Sequence, residues 1–392
     1  MQAFTSVSIN YLPKARLLAE TFKEQHPQAG FHLVLSDRLP DWLARSPAPF
    51  DSILHVEELP LAKIKGWIFQ HTLVELCTAV KGVACRVIMD RHPHEPVLYF
   101  DPDIVVLGRL DELLAEFRRA DILLTPHLLE PDETLDAVLD NEVCALKHGV
   151  YNLGFLGVAP TAEGRRFVDW WSERLRTLCY DEIDRGLFTD QRWADLAPAF
   201  FPTTGILRHP GYNVASWNLA RRHVTGTVPN ALEVNGRPLC FFHFSGFDSG
   251  AQKVMLDKFG AKSRALYKLR DWYVGECRRL GQDELGATPW AYDRFANGEP
   301  ITLDHRRLYR DRIDLQDAFP EPLSTADVNR SYYHWYRQEM REVDVIDPRD
   351  TLWRQLVQAK QELARIRSSR TYRAARRAAG IVRGTWLRRK AA

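Results

Sequence analysis

The sequence predicts an α/β protein: a mainly parallel sheet with helices on both faces, followed by a helical appendage. Three observations lead there. Short apolar, β-rich runs alternate with stretches of helical periodicity over the first 250 or so residues. The run Val97-Leu98-Tyr99-Phe100 is continuously apolar, as a strand covered on both faces must be. Beyond about Lys253 the strand signal stops and the apolar spacing becomes helical.

In chain order, Ala3 to Ile9 reads as a first strand and Lys14 to Gln25 as a helix with Leu17, Leu18 and Phe22 on its apolar face. Phe31 to Leu35 and Ser52 to Val56 are further strands, and Ile64 to Arg91 is helical. After the strand at Val97 come a helix over Asp111 to Arg119, a strand over Asp121 to Thr125 and an apolar strand over Tyr151 to Ala159. Glu163 to Leu178 is an amphipathic helix. Thr189 is placed to cap the helix that Asp190-Gln191 opens, and Leu239 to Phe242 is the last strand. Lys253 to Leu280 is helical, and an aromatic segment through Trp290 and Tyr292 leads to Tyr332–Tyr336. The organisation expected is a sheet domain over residues 1–250, a helical region over 251–350 and a basic tail over 351–392.

Composition bounds the function. The chain of 392 residues is 45% hydrophobic and 27% charged, enough to bury a core. Six scattered cysteines, among them Cys144, show no CxxC spacing and read as reduced core thiols of a cytosolic protein, not a disulfide framework or zinc site. The N-terminus shows no secretory pattern and no apolar run approaches the roughly 20 residues that span a bilayer. The net charge of +2 hides an asymmetry: residues 351–392 carry twelve Lys or Arg against Glu362 alone, leaving 41 bases and 50 acids for the first 350 residues. A mildly acidic body argues against nucleic acid as a partner. The tail interleaves Trp353, Leu356, Ile366, Trp386 and Leu387 with its bases, which suits an interfacial helix on an anionic membrane or a dimerisation helix.

Asp101-Pro102-Asp103 follows the apolar strand and is followed by Ile104 to Leu107. Two carboxylates beside apolar strands are costly unless they share a proton or a cation, and a hard divalent ion such as Mn²⁺ or Mg²⁺ answers that cost. In an extended chain both side chains face the same way; in a turn the pair is ordinary. His243, ending the last strand, supplies a third ligand in the functional reading and is a hydrogen-bonded structural residue in the plain one.

The ordered motifs resemble those of the retaining glycosyltransferases of family 8 and their GT-A-fold relatives in bacterial polysaccharide clusters. Ser8-Ile9-Asn10-Tyr11 is similar to the family's nucleotide-base segment, with Ser8 where the family has Asp. Asp101-Pro102-Asp103 matches its D-x-D, Tyr151-Asn152-Leu153-Gly154 its F-N-x-G strand, Asp190-Gln191 its D-Q helix start, and His243-Phe244-Ser245-Gly246 its late H-x-x-G. The resemblance implies a GT-A, Rossmann-like fold and a metal held by Asp101, Asp103 and His243. It implies donor contacts from Ser8, Asn10, Tyr11, Lys81, Asn152, Gly154, Ser245 and Gly246, with Arg86 as the alternative to Lys81. Asp190 and Gln191 become the catalytic pair, Gln191 facing the β side of the sugar. The reaction implied is transfer of a hexose from a nucleotide sugar, a UDP-sugar, to a glycan or lipid-linked glycan acceptor, at the inner face of the cell membrane. Two other readings stand beside it: a non-catalytic sugar-binding scaffold on the same fold, and a D-x-D phosphohydrolase, against which Ile104-Val105-Val106 after the second Asp counts.

Overall fold

The computed structural model describes residues 1–346, so the basic tail and its proposed membrane or partner role lie outside the described residues. The chain divides into two compact units, one of residues 1–323 and one beginning at Ser324. The second unit contributes the helix Tyr332–Ile346 to the described residues. Among the described residues no helix is long and apolar enough to cross a membrane.

The first unit is built on seven strands: β1 (Gln2–Val7), β2 (Gly30–Leu35), β3 (Ser52–His55), β4 (Val97–Phe100), β6 (Ile122–Pro126), β7 (Tyr151–Val158) and β8 (Thr204–Ile206). They lie in the order β8-β6-β7-β4-β1-β2-β3. All run parallel except β7, which is antiparallel to both β4 and β6. Side chains alternate across the sheet. Val97 and Tyr99 join Leu76, Val80, Phe167 and Trp171, from helices α2 (Leu73–Arg91) and α3 (Ala162–Leu178). Leu98 and Phe100 join Leu12, Leu18 and Phe22 of the helix Leu12–Gln25 on the opposite face. The mainly parallel sheet with helices on both faces is the architecture the sequence predicts.

Two local differences matter for the site. The apolar runs around Asp101 do not form one strand: β4 belongs to the main sheet, whereas β5 (Ile104–Val106) pairs with β10 (Phe241–His243) in a second, three-stranded sheet with β9 (Val214–Ala215). Asp101–Asp103 is therefore a turn, closed by the Ile104 amide donating to the Asp101 carbonyl at 3.1 Å, and it hands the chain from one sheet to the other. The helical stretch from Ile64 is likewise two helices. It breaks at His71, and Thr72 and Glu75 form a capping box that starts α2.

The C-terminal aromatic segment packs against the sheet domain. Trp290 donates to the Ser36 carbonyl at 2.9 Å, and the Ala291 amide donates to Asp37 at 3.1 Å. Trp290 and Tyr292 are buried core residues.

Candidate active site

Parallel strands β1, β2 and β4 all end at one edge, and the polar residues that follow them gather there. The antiparallel register of β5 and β10 sets His243 opposite Ile104, and the Phe244 amide donates to the Asp103 carbonyl at 2.8 Å. This pairing carries the imidazole to the two carboxylates. His243 Nε2 lies 3.1 Å from Asp103 Oδ1 and 3.7 Å from Asp101 Oδ2. One ligand atom from each residue falls within 4.8 Å of the others.

The imidazole is held from behind. His243 Nδ1 sits 3.2 Å from Asn213 Oδ1, which fixes the ring with Nδ1–H donating and Nε2 facing the carboxylates. Asn213, at a left-handed φ of 49°, donates in turn to Thr125 Oγ1 (2.8 Å) and Asn152 Oδ1 (2.9 Å). Gly154 is required by contact: a Cβ there would lie 2.5 Å from His243 Cε1 and 2.6 Å from Asn152 Oδ1. Burial works against a charged His243, but the charge and hydrogen bond of Asp103, with Asp101 beyond it, hold the ring above its ordinary pKa. Burial would likewise raise Asp103, and His243 holds it below the usual carboxylate range. Two carboxylates and an oriented imidazole, once its Nε2 proton is displaced, are a donor set that fits a divalent cation, Mn²⁺ better than Mg²⁺ because of the nitrogen.

Beside this cluster Lys81, pointing from α2, bridges two acids. Its ammonium is 2.8 Å from Asp190 Oδ2 and 3.2 Å from Asp101 Oδ1, and 4.1 Å above the Tyr99 ring. Burial alone would lower the Lys81 pKa; the charges of Asp101 and Asp190 outweigh it and keep the amine protonated. Burial raises Asp190, against the pull of Lys81. Tyr99 donates to Asp101 Oδ1 at 2.6 Å. Arg86 pairs instead with Asp90 and Asp169 on the surface.

These groups open onto a cavity of about 380 Å³ lined by Lys81, Asp101, Asn152, Asp190, Gln191 and His243, with Ser245 at its edge. Gln191 is clamped, its Oε1 accepting from the Leu153 amide (3.2 Å) and its Nε2 donating to the His148 carbonyl (3.1 Å). Asn152 is also engaged: Oδ1 accepts from the Gly154 amide (2.9 Å) and Nδ2 donates to His127 Nε2 (3.0 Å). Thr189 is not the cap of the short helix Gln191–Ala194. It has a φ of 44°, and Asp190 occupies the cap position. Ser8, Asn10, Tyr11 and Gly246 lie outside this cavity's lining. Ser8 donates to Asn10, Tyr11 donates to Asp248, and Gly246 turns the chain at φ 74° toward the helix Ala251–Phe259.

Sequence reasoning missed four features. Lys14 is buried, pairs with Asp248 and stands 3.8 Å over the Tyr11 ring. Asn213 and His127 hold His243 and Asn152 in place. One cavity wall is the helical segment from Thr134 to His148, which supplies Asp140, Asn141, Cys144 and His148. Polar residues directly after an apolar strand, as His127 is after β6, were the one available signal. Cys144 also departs from the core-thiol expectation, because it is exposed.

The fold and site together define an α/β protein with a cluster of two aspartates and a histidine and a buried lysine at the carboxyl edge of its sheet. No family model matches the chain. Among curated proteins it is similar to YfnF of Bacillus subtilis (strain 168), 25% identical over 181 residues, 44% of this chain and 57% of that protein. It is also similar to YfnD of the same organism, 27% identical over 207 residues, 52% of this chain and 63% of that protein. Both are described as uncharacterized, and the matches span about three fifths of their lengths. Among solved structures, the galactosyltransferase LgtC in complex with donor and acceptor sugar analogues aligns over 74% of this chain and 98% of that one, at 16% identity and a TM-score of 0.42.

Proposed function

We propose that the protein is a metal-dependent GT-A glycosyltransferase. It moves a hexose from a nucleotide-sugar donor, a UDP-sugar, to a glycan or lipid-linked glycan acceptor in bacterial surface polysaccharide synthesis. The observation that carries this reading is the convergence of Asp101 and His243 with the Lys81–Asp190 pair on one cavity, with Asp103 clustered against Asp101 and His243.

Asp101, Asp103 and His243 would hold Mn²⁺ or Mg²⁺, which would supply positive charge to a diphosphate leaving group. Lys81 keeps its proton and fixes Asp101 and Asp190 in position. Asp190 and Asn152, which line the cavity, would bind sugar hydroxyls, and Gln191, whose amide is hydrogen-bonded at both ends, would present its carbonyl to the sugar's β face. An amide is a poor nucleophile, so the acceptor attacks from the leaving-group side; retention itself is taken from the motif resemblance. Ser8, Asn10, Tyr11, Ser245 and Gly246 take the nucleotide end. A phosphohydrolase is less well served, because Asp101 Oδ1 already accepts from Tyr99 and Lys81. The place of action is the cytoplasm, peripheral to the membrane through the basic tail.

Thermal unfolding of the full chain with UDP, GDP and ADP, each with Mn²⁺ or with chelator, tests the reading. One nucleotide should raise the midpoint only when metal is present, and Asp103→Ala should abolish the rise. No metal-dependent stabilisation by any of the three would reject it.

A further inference from the structure

A second polar cavity of about 380 Å³ lies next to the reaction cavity. The turn Trp217–Asn218 separates them: Trp217 lines the reaction cavity, and Asn218 lines the second one. Asn218 Nδ2 donates to the Asn213 carbonyl at 3.0 Å, so the second cavity's wall touches the residue that orients His243.

The base of the second cavity is Arg222, only 5% exposed. Its Nη1 donates to the carbonyls of Tyr212 (2.8 Å) and Asn213 (3.2 Å). Among the described residues no carboxylate pairs with it and no protein acceptor meets its Nε or Nη2. Burial with no compensating charge pushes this guanidinium down to about 9. A second buried arginine shows what a purely structural one looks like here. Arg306 spends Nη1 on the carbonyls of Phe69 and His71 and Nη2 on that of Tyr292. Arg222 leaves half its fork turned to the cavity.

The rest of the lining is consistent with an anionic guest. Arg208, on the same cavity, is exposed and has no ion pair among the described residues. Arg221 is paired with Glu133 at 2.7 Å and lies 3.6 Å from Glu130, offsetting one of the two rim charges. Asp132 accepts at Oδ2 from the Asn141 amide at 2.9 Å, and its buried Oδ1 has no hydrogen-bond partner among the described residues. Arg222, with Asp132 and Arg221, also lines a neighbouring cavity of about 440 Å³ whose walls include Lys262. A buried cation with unused planar donors is costly without a counter-ion and binds a carboxylate or phosphate bidentately.

We propose that this cavity is a subsite for an anionic group of the acceptor, a carboxylate or a phosphate, which Arg222 receives through Nε and Nη2 with Arg208 at the mouth. The proposal rests on the glycosyltransferase reading for the word acceptor only; the anion site stands or falls by itself.

Calorimetric titration of the full chain with glucose, glucuronate and glucose 6-phosphate, with and without UDP and Mn²⁺, tests it. Glucuronate, glucose 6-phosphate or both should bind where glucose does not, and whichever binds names the group. Inorganic phosphate should compete. Arg222→Met should weaken that binding roughly tenfold to a hundredfold, the value of charge-assisted hydrogen bonds. Because Arg222 also braces Asn213, Arg208→Ser serves as the second variant; it should weaken the anion several-fold and leave UDP–Mn²⁺ binding unchanged. Equal binding of charged and neutral sugars, or unchanged anion affinity in Arg208→Ser together with a folded Arg222→Met, would overturn the subsite. Anion binding without any UDP–Mn²⁺ binding would instead reject the transferase reading and leave the subsite standing.

Discussion

Gly154→Ala probes the packing on which the metal cluster depends. The added methyl would stand 2.5 Å from His243 Cε1 and 2.6 Å from both His243 Nδ1 and Asn152 Oδ1. Ordinary carbon contacts are about 3.5–4.0 Å, so the ring must retreat by roughly 1 Å. It has no open direction: His243 is buried, Trp217 lies edge-on with its centroid 5.3 Å away, and Asn213 holds Nδ1. Overpacking of this kind costs about 1–3 kcal/mol of stability. Loss of the oriented ligand costs about 10–100-fold in metal affinity, the usual price of disturbing such a shell. Urea unfolding and calorimetric Mn²⁺ titration measure the two effects separately. Gly157→Ala is the control, because its Cβ would crowd Phe117, Leu123 and Leu98, none of them near the ligands. It should lose stability but keep Mn²⁺ affinity within about twofold. A Gly154→Ala protein that binds Mn²⁺ as tightly as the wild type would refute the reasoning.

Three further outcomes are expected. Lys81→Met strands the buried Asp190 carboxylate and should cost about 3–5 kcal/mol in urea unfolding; adding Asp190→Asn should recover part of the loss, and no recovery would mean the pair is not the cause. His32, His71 and His127 are each pushed down to about 4, chiefly by burial, so the native state excludes their protons while the unfolded chain takes them up near 6.5. Their stability contribution is therefore full above about pH 6.5 and lost as pH falls toward 4, with up to about 1.4 kcal/mol per pH unit from each; His32→Gln should flatten that slope, and an unchanged slope would exclude His32. Thr72→Ala removes the α2 capping box and should cost about 1 kcal/mol by the same unfolding assay, with a result near zero showing that the cap is idle.

Much of the fold was legible because it is local. Val97–Phe100 is apolar on both faces, so it had to be a covered strand, and its neighbours carry ordinary helix and strand periods. The ligand residues were legible as polar groups at strand ends. What escaped depends on distant pairing. Nothing in Ile104–Val106 reveals that it leaves the main sheet, because its partner, Phe241–His243, is more than 130 residues away and only their pairing defines the second sheet. Asn213 looks like any loop asparagine until β9 and β10 bring it behind His243. The segment Thr134–His148 carries Leu135, Leu139 and Leu146 outward, so its apolar pattern gave no sign of the polar wall it presents to the cavity.

Asp101, Asp103 and His243 are proposed to hold the ion that activates a sugar-nucleotide donor. The most direct test is nucleotide release from a panel of sugar nucleotides without acceptor, with Mn²⁺ or chelator, for wild type and Asp103→Ala. Slow, Mn²⁺-dependent release from one UDP-sugar is expected, lost with chelator and in the variant. Release that survives chelation, or that Asp103→Ala leaves intact, would contradict it.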